Sequence, residues 1–113
     1  MPDSDKLNIL SIQEAVDKIF DYTQSFSNAD EFHDNQRDFD AVMMNFIVIG
    51  EMVSRLSETF IEQNGHVDWF KIRGFRNIVA HNYFGIDAEE VWQIIQTHIP
   101  KLRSDIEGIL ENI

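Results

Sequence analysis

Apolar residues recur every three or four positions through most of this chain, which is the period of an amphipathic helix. The strongest signal covers residues 36–63, where an apolar seam persists over roughly four heptads. The seam consists of Phe39, Val42, Met43, Phe46, Ile49, Val53, Leu56 and Phe60. Because the segment is apolar on more than one side near its middle, we expect it to be the central helix.

Two further amphipathic segments cover residues 6–26 and 91–113. Pro100 removes a backbone donor within the second, which predicts a kink or a break into two helices. Residues 25–34 are rich in Ser, Asn and Asp and are typical of a connection.

Shorter helices are predicted in the stretch between the central and last segments. Asp68 can cap a turn that follows it, and a helix is expected over residues 75–82. Asp87, with Glu90 three positions later, forms a capping-box pattern for the last helix. No stretch alternates with period two for long enough to argue a strand. The sequence therefore predicts one all-α domain over residues 1–113, a bundle of about five helices.

The charge balance narrows the possible partners. The chain carries 20 Asp and Glu against 9 Lys and Arg, a net charge of −11, which disfavours non-specific binding along a nucleic-acid backbone. It has no cysteine, which excludes disulfides, thiolate metal ligands and thiol catalysis. The acidic N-terminus is unlike a secretory signal, and no apolar run is long enough to span a bilayer. We expect a soluble, cytoplasmic protein that does not associate with a membrane.

Three of the nine cations cluster within six positions, at Lys71, Arg73 and Arg76. In so acidic a chain this segment is the main electrostatic attraction for RNA, which makes Lys71 and Arg73 candidate RNA contacts.

Arg76, Asn77 and His81 carry the chemistry most suited to catalysis. A histidine can exchange a proton near neutral pH, and an arginine can stabilise an anionic transition state. This pair suits cleavage of RNA by its own 2′-hydroxyl without a metal, and Asn77 can orient either group. Positions five apart on a helix lie about 140° around the axis from each other. Arg76 and His81 therefore need a long reach, a helix end, or a second copy across a two-fold axis.

Gly50 and Glu51 are unusual residues within the central helix. A glycine costs about 1 kcal/mol of helix propensity relative to alanine, so Gly50 suggests that another backbone passes close or that a gap is left for a neighbouring side chain. Glu51 is either a surface carboxylate or a residue near the site, and the sequence leaves both open. We interpret Trp69, Phe70 and Trp92 as core anchors rather than as base-stacking platforms.

The remaining histidines are His33, His66 and His98, and each is interpreted as structural or solvent-exposed. No metal-ligand spacing and no glycine-rich phosphate loop occurs, so we predict no metal site and no cofactor.

The run from Arg76 to Tyr83 resembles the RxxxxHxY signature of HepT-type toxins of the HEPN superfamily. The resemblance extends over residues 7–110. Its further landmarks, in order, are Ile49-Gly50-Glu51, Trp69, Ile72, Gly74, Asn77, Phe84-Gly85, Val91-Trp92 and Ile99-Pro100.

The resemblance implies a homodimer of all-α subunits in which two copies of Arg76 and His81 meet in an interfacial cleft. The implied activity is metal-independent endoribonuclease cleavage. His81 would be the general base and acid, Arg76 would stabilise charge, and Asn77 would support them.

The same resemblance implies a toxin of a type VII-like toxin–antitoxin system. Its antitoxin would be a nucleotidyltransferase of the MNT type, which transfers AMP from ATP to the motif tyrosine, here Tyr83. A bulky anionic adduct beside Arg76 and His81 would block RNA.

Two other functions remain possible from the sequence. The chain could be a non-catalytic helical partner or regulator of a nucleotidyltransferase, binding nucleotide or protein through the same cleft. It could also be a plain dimerisation module, although packing alone needs neither His81 nor Tyr83.

Overall fold

The computed structural model describes residues 3–82 and 85–112, and of residues 80–82 only the backbone. This part of the chain forms seven α-helices and no strand, which confirms the all-α prediction. The helices are α1 (Asp3–Thr23), α2 (Ala29–Asp34), α3 (Gln36–Ser54), α4 (Glu58–Gln63), α5 (Trp69–Arg73), α6 (Phe75–Asn82) and α7 (Ala88–Glu111). Two of them, α2 and α4, have six residues each and were not separate helices in the prediction of about five.

Helix α3 is central, as predicted. It packs along α1 on one side and against α5 and α6 on another. All eight residues of the predicted apolar seam are buried. Burial of side chains of this size contributes roughly 1.5–3 kcal/mol each. Because α6, the helix that carries Arg76 and His81 (the motif helix), packs against α3, the central helix positions it.

The predicted helix over residues 36–63 is not continuous, because the chain breaks between α3 and α4. Asp5 of α1 is 1% exposed. Its carboxylate accepts hydrogen bonds from the Ser57 N–H at 2.9 Å and the Ser57 Oγ at 2.6 Å. The Ser57 Oγ in turn accepts from the Phe60 N–H at 3.2 Å and caps α4. A contact between residues 52 positions apart thus fixes the start of a second helix, α4, within a periodic pattern.

The segment predicted as a connection, residues 25–34, contains α2. Asn28 caps this helix by accepting from the Glu31 N–H at 2.9 Å, and Glu31 accepts from the Ser27 N–H at 2.6 Å. Phe32 is fully buried, with its ring centroid 5.1 Å from that of Phe39 and 5.8 Å from that of Trp92. These two capping hydrogen bonds and a buried ring therefore outweigh the polar composition.

Of the kink or break predicted at Pro100, the break is wrong, since α7 runs through the proline for 24 residues. Ile95 and Ile99 before the proline and Leu102 after it are all buried, so packing on both sides holds one helix together. Within the described part of the chain, neither α7 nor any other helix is long and apolar enough to cross a membrane.

Trp69 and Trp92 are core residues as predicted, with 6% and 9% exposure. Phe70 is not, because 80% of it is exposed. The Trp69 Nε1–H donates to the Asn64 carbonyl at 2.9 Å, and this anchor fixes which face of α5 is buried. Phe70, one helical position further round, therefore faces solvent.

Candidate functional site

The basic segment, residues 71–76 with Lys71, Arg73 and Arg76, forms a corner between α5 and α6. Asp68 caps α5, its Oδ1 accepting from the Lys71 N–H at 3.1 Å, as predicted. Gly74 ends α5 by donating its N–H to the carbonyls of the last turn. Phe75 then begins α6 with its ring buried 5.5 Å from that of Phe46 in α3. The start of the motif helix is thus anchored on the central helix.

Gly50 is the point of closest approach between α3 and this corner. A Cβ atom placed on Gly50 would lie 2.9 Å from the Arg73 carbonyl oxygen and 2.9 Å from the Arg76 Cβ. It would also lie 3.1 Å from the Arg76 backbone nitrogen. Real Cβ atoms are essentially never found this close to such neighbours, so only glycine allows the corner to sit where it does. The backbone approach that Gly50 suggested in the sequence is therefore present.

Glu51, the next residue, meets the side chain of Arg76. The Arg76 guanidinium donates to the Glu51 carboxylate at 3.0 Å between nitrogen and oxygen. Both side chains are partly solvent-accessible, at 38% for Arg76 and 44% for Glu51. Of the two positions that the sequence left open for Glu51, the structure shows the one beside Arg76.

Arg55 completes the cluster. Its guanidinium lies 3.8 Å from the Glu51 carboxylate, one turn further along the chain. Arg55 was not among the predicted site residues, although a spacing of four residues from Glu51 could have indicated it. One carboxylate therefore faces two guanidinium groups, and an anionic ligand approaching Arg76 meets a site with net positive charge.

The other two basic residues of the segment have different neighbours. The Arg73 guanidinium lies over the ring of Phe70, 5.9 Å from its centroid. Lys71 lines a cavity of about 200 Å³ between α5 and α7, together with Asp68, His98 and others. The predicted RNA contacts Lys71 and Arg73 thus contact different groups from the carboxylate that holds Arg76.

His98 in this cavity has an altered protonation equilibrium. Burial lowers the pKa of the imidazole, the Lys71 cation lowers that pKa further, and the Asp68 carboxylate opposes the change. The neutral form is therefore favoured in the folded protein. From the sequence, His98 was interpreted only as structural or exposed, because nothing local connects it to Lys71.

The remaining predicted site residues are Asn77, His81 and Tyr83, and the structure describes them to different extents. Asn77 is exposed on α6, and its N–H donates to the Gly74 carbonyl at 3.0 Å. His81 belongs to α6, but its side chain is outside the described part of the structure. Tyr83 lies outside the described residues altogether.

Comparison with known proteins identifies the family. The model of the family described as "Ribonuclease HepT-like" matches residues 12–109. The chain belongs to the HepT-like family. The predicted relation to HepT-type proteins and the HEPN-like helical fold is thereby confirmed.

Individual HepT-like relatives agree over most of the chain. A protein of Methanocaldococcus jannaschii named "Gamma-glutamylcyclotransferase and putative RNase" is 31% identical over 96% of this chain, which spans only 48% of that relative's length. A "Putative RNase" of the same organism is 33% identical over 100% of this chain and 93% of its own length. A "Probable ribonuclease HepT" of Thermococcus cleftensis is 27% identical over 96% of this chain and 98% of its own. No solved structure gives a significant match.

Proposed function

We propose that this chain is the ribonuclease toxin of a type VII-like toxin–antitoxin system and cleaves RNA without a metal. The site would be composed of Arg76 and His81, with Asn77 and Glu51 in support. The proposal draws on the HepT-like family membership and on the ribonuclease names that its relatives carry.

The chemistry follows from the two principal side chains. His81 would accept the proton of a ribose 2′-hydroxyl as the 2′-oxygen attacks the adjacent phosphorus. Arg76 would stabilise the extra negative charge of the phosphorane that forms. The P–O5′ bond then breaks, and a protonated His81 returns a proton to the leaving oxygen. The products are a 2′,3′-cyclic phosphate and a 5′-hydroxyl.

The observation that carries the proposal is the way in which Arg76 is held. Gly50 brings the backbone of Arg76 against α3, and Glu51 fixes the guanidinium at 3.0 Å while 38% of the side chain remains accessible. A catalytic cation needs both fixed geometry and access to the substrate. A purely structural arginine would not need the second.

A homodimer would complete the site. Helix α6 is continuous from Phe75 to Asn82, so the positions of Arg76 and His81 lie about 140° apart around its axis. Two copies related by a two-fold axis would present each position twice in one cleft.

The proposed antitoxin is a nucleotidyltransferase of the MNT type that transfers AMP to Tyr83. An AMP group at this position would bring negative charge toward Arg76 and occupy the space that RNA needs. Co-expression with such an enzyme should add AMP-sized mass to the wild type and not to Tyr83→Phe. Equal addition to both proteins would show that Tyr83 is not the acceptor.

The decisive experiment uses end-labelled RNA in EDTA with wild type, Arg76→Ala and His81→Ala, after the intact mass of each preparation has been recorded. Cleavage by wild type alone, leaving cyclic phosphate ends, is the expected result. Arg37→Ala is the matched control, because it removes an arginine whose side chain is 88% exposed on α3 and should cleave like wild type. An unmodified wild type that leaves RNA intact would contradict the proposal.

The Glu51–Arg76 pair also favours a second function. A guanidinium already bound to a carboxylate can serve to hold a nucleotide or a protein partner without catalysis, as in a regulator of a nucleotidyltransferase. Growth arrest on expression that persists in His81→Ala would favour this function, whereas arrest abolished by that change would favour the toxin.

A further inference from the structure

Phe70 is an exposed aromatic residue on a rigid element. It is 80% exposed, while Trp69 and Ile72 of the same helix are 6% and 7% exposed. Helix α5 is fixed by the Asp68 cap and by the indole hydrogen bond of Trp69. The ring is therefore presented to solvent by a well-anchored turn.

Arg73 further restricts the orientation of the Phe70 ring. Its guanidinium lies over Phe70 at 5.9 Å from the centroid, a cation–π arrangement that restricts both side chains. The Arg73 carbonyl and the Arg76 Cβ both pack at Gly50. The Phe70–Arg73 pair and Arg76 are thus held on the same short stretch of α3.

The surroundings of the ring favour a nucleobase over a protein surface. Among the described residues, the other large exposed apolar side chains are Leu7, Leu10 and Met44, which belong to α1 and α3. A protein interface usually needs about 800 Å² on each partner. One ring and one guanidinium are instead sufficient to stack an unpaired base. Arg73, whose guanidinium already lies over the ring, suits a phosphate next to such a base.

We propose that Phe70 and Arg73 form a stacking site for an unpaired base of the RNA cleaved at the Arg76 site. This inference rests on the proposed ribonuclease function. It assigns to the chain a preference for single-stranded RNA, with one base held on the Phe70 ring and the strand continuing toward Arg76.

The test measures binding of a fluorescent single-stranded RNA and of the same RNA in a duplex. All proteins carry His81→Ala, so that the RNA stays intact. Phe70→Ala should weaken single-strand binding about 5- to 150-fold, the range for loss of one stacked base, and should change duplex binding little. Phe70→Trp should retain binding. Met44→Ala is the matched control, since it removes another exposed apolar side chain, 59% exposed on α3, and should bind like the parent.

Each of three results would overturn the stacking site. One is single-strand binding by Phe70→Ala equal to that of the parent, and another is no binding by the parent itself. The third is a change in the molar mass from light scattering that accompanies the loss of binding in Phe70→Ala, because the ring would then be a contact between protein copies.

A fluorescence measurement separates this inference from the proposed function. In the Phe70→Trp variant, a base stacked on the introduced indole should quench its fluorescence. The two native tryptophans should be quenched less, whether or not the RNA is later cut. Quenching without any cleavage by the wild-type protein supports the stacking site and contradicts the ribonuclease. Cleavage by the wild type that is unaffected by Phe70→Ala contradicts the stacking site alone.

Discussion

Gly50 and Arg76 approach each other so closely that a methyl group on Gly50 would lie 2.9 Å from the Arg76 Cβ. Gly50→Ala should therefore push α6 away from α3. Overpacking of this kind costs about 1–3 kcal/mol, of which the better helix propensity of alanine offsets about 1 kcal/mol. A displacement of the arginine by about 1 Å should lower the cleavage rate up to 100-fold. Urea unfolding and RNA cleavage measure the two effects.

Gly108→Ala is the matched control for this change. Gly108 also lies within a helix, α7, and a Cβ there meets no atom within 4 Å. This variant should gain up to about 1 kcal/mol and keep full activity. If Gly50→Ala were as stable and as active as Gly108→Ala, the close packing would have no functional role.

Glu51 is predicted to position Arg76 rather than to react. Glu51→Ala should lower kcat by about 10- to 100-fold through loss of orientation and change KM less. Glu51→Gln should recover part of the rate, because its amide oxygen still accepts from the guanidinium. Since both side chains are partly exposed, the free energy of unfolding should change by less than about 1 kcal/mol.

Steady-state kinetics on a short RNA, with unfolding curves, test this role. Arg55→Ala, which removes the longer 3.8 Å contact to Glu51, provides the comparison and should retain most of kcat. Identical kcat in wild type and Glu51→Ala would exclude a positioning role.

Asp5 should be the polar residue on which stability depends most. It is 1% exposed and accepts two hydrogen bonds from Ser57. Asp5→Ala would leave the partly buried Ser57 N–H unpaired and should cost about 1–3 kcal/mol, whereas Asp5→Asn keeps one acceptor and should cost less. Thermal unfolding measures both, with the exposed Asp3→Ala as a control in the same turn of α1. A loss in Asp3→Ala equal to that in Asp5→Ala would contradict the assignment.

His98 should make folding weakly dependent on pH. Burial and Lys71 lower its pKa in the folded state, so the unfolded chain binds the proton more readily, at an ordinary pKa of about 6.5. Protonation then favours unfolding, and stability contributed by His98 is lost as the pH falls below about 6.5. In His98→Gln, unfolding free energies measured between pH 7.5 and 5.5 should fall less steeply than in wild type. His66→Gln controls for the loss of one histidine, and equal slopes in wild type and His98→Gln would refute the prediction.

Much of the helical framework could be predicted because it depends on local periodicity. The motif helix was expected over residues 75–82 and is observed at Phe75–Asn82. The errors occur where contacts between residues far apart in the sequence decide where a helix begins or ends. The apolar period continues through Leu56 and Phe60, but α3 ends at Ser54, and Asp5 binds Ser57 at the start of α4. The failure to predict the helix at Ala29–Asp34 was avoidable, because its capping residues, Asn28 and Glu31, are visible in the sequence.

The candidate site was predictable in its residue types and less so in its arrangement. Gly50 correctly indicated a backbone approach, because a glycine within a helix often marks a point where a larger side chain would not fit. Glu51 and Arg76 are 25 positions apart, and no local pattern connects them. Phe70 and Trp69 are adjacent aromatic residues, and the identity of the buried one depends on the hydrogen bond from Trp69 to Asn64. The catalytic role of His81 and the modification of Tyr83 remain predictions.

The three cations of the basic segment have three different neighbours, namely the α7 cavity for Lys71, Phe70 for Arg73 and Glu51 for Arg76. A polyanion therefore finds no continuous basic stripe along this segment. Each phosphate neutralised on a single strand steepens the dependence of log affinity on log salt concentration by about 0.7. Three cations can thus give a slope of no more than about 2. At that slope the affinity of this chain for RNA should fall by no more than about 16-fold between 50 and 200 mM salt, and selection among RNAs would depend on contacts that mobile ions do not screen.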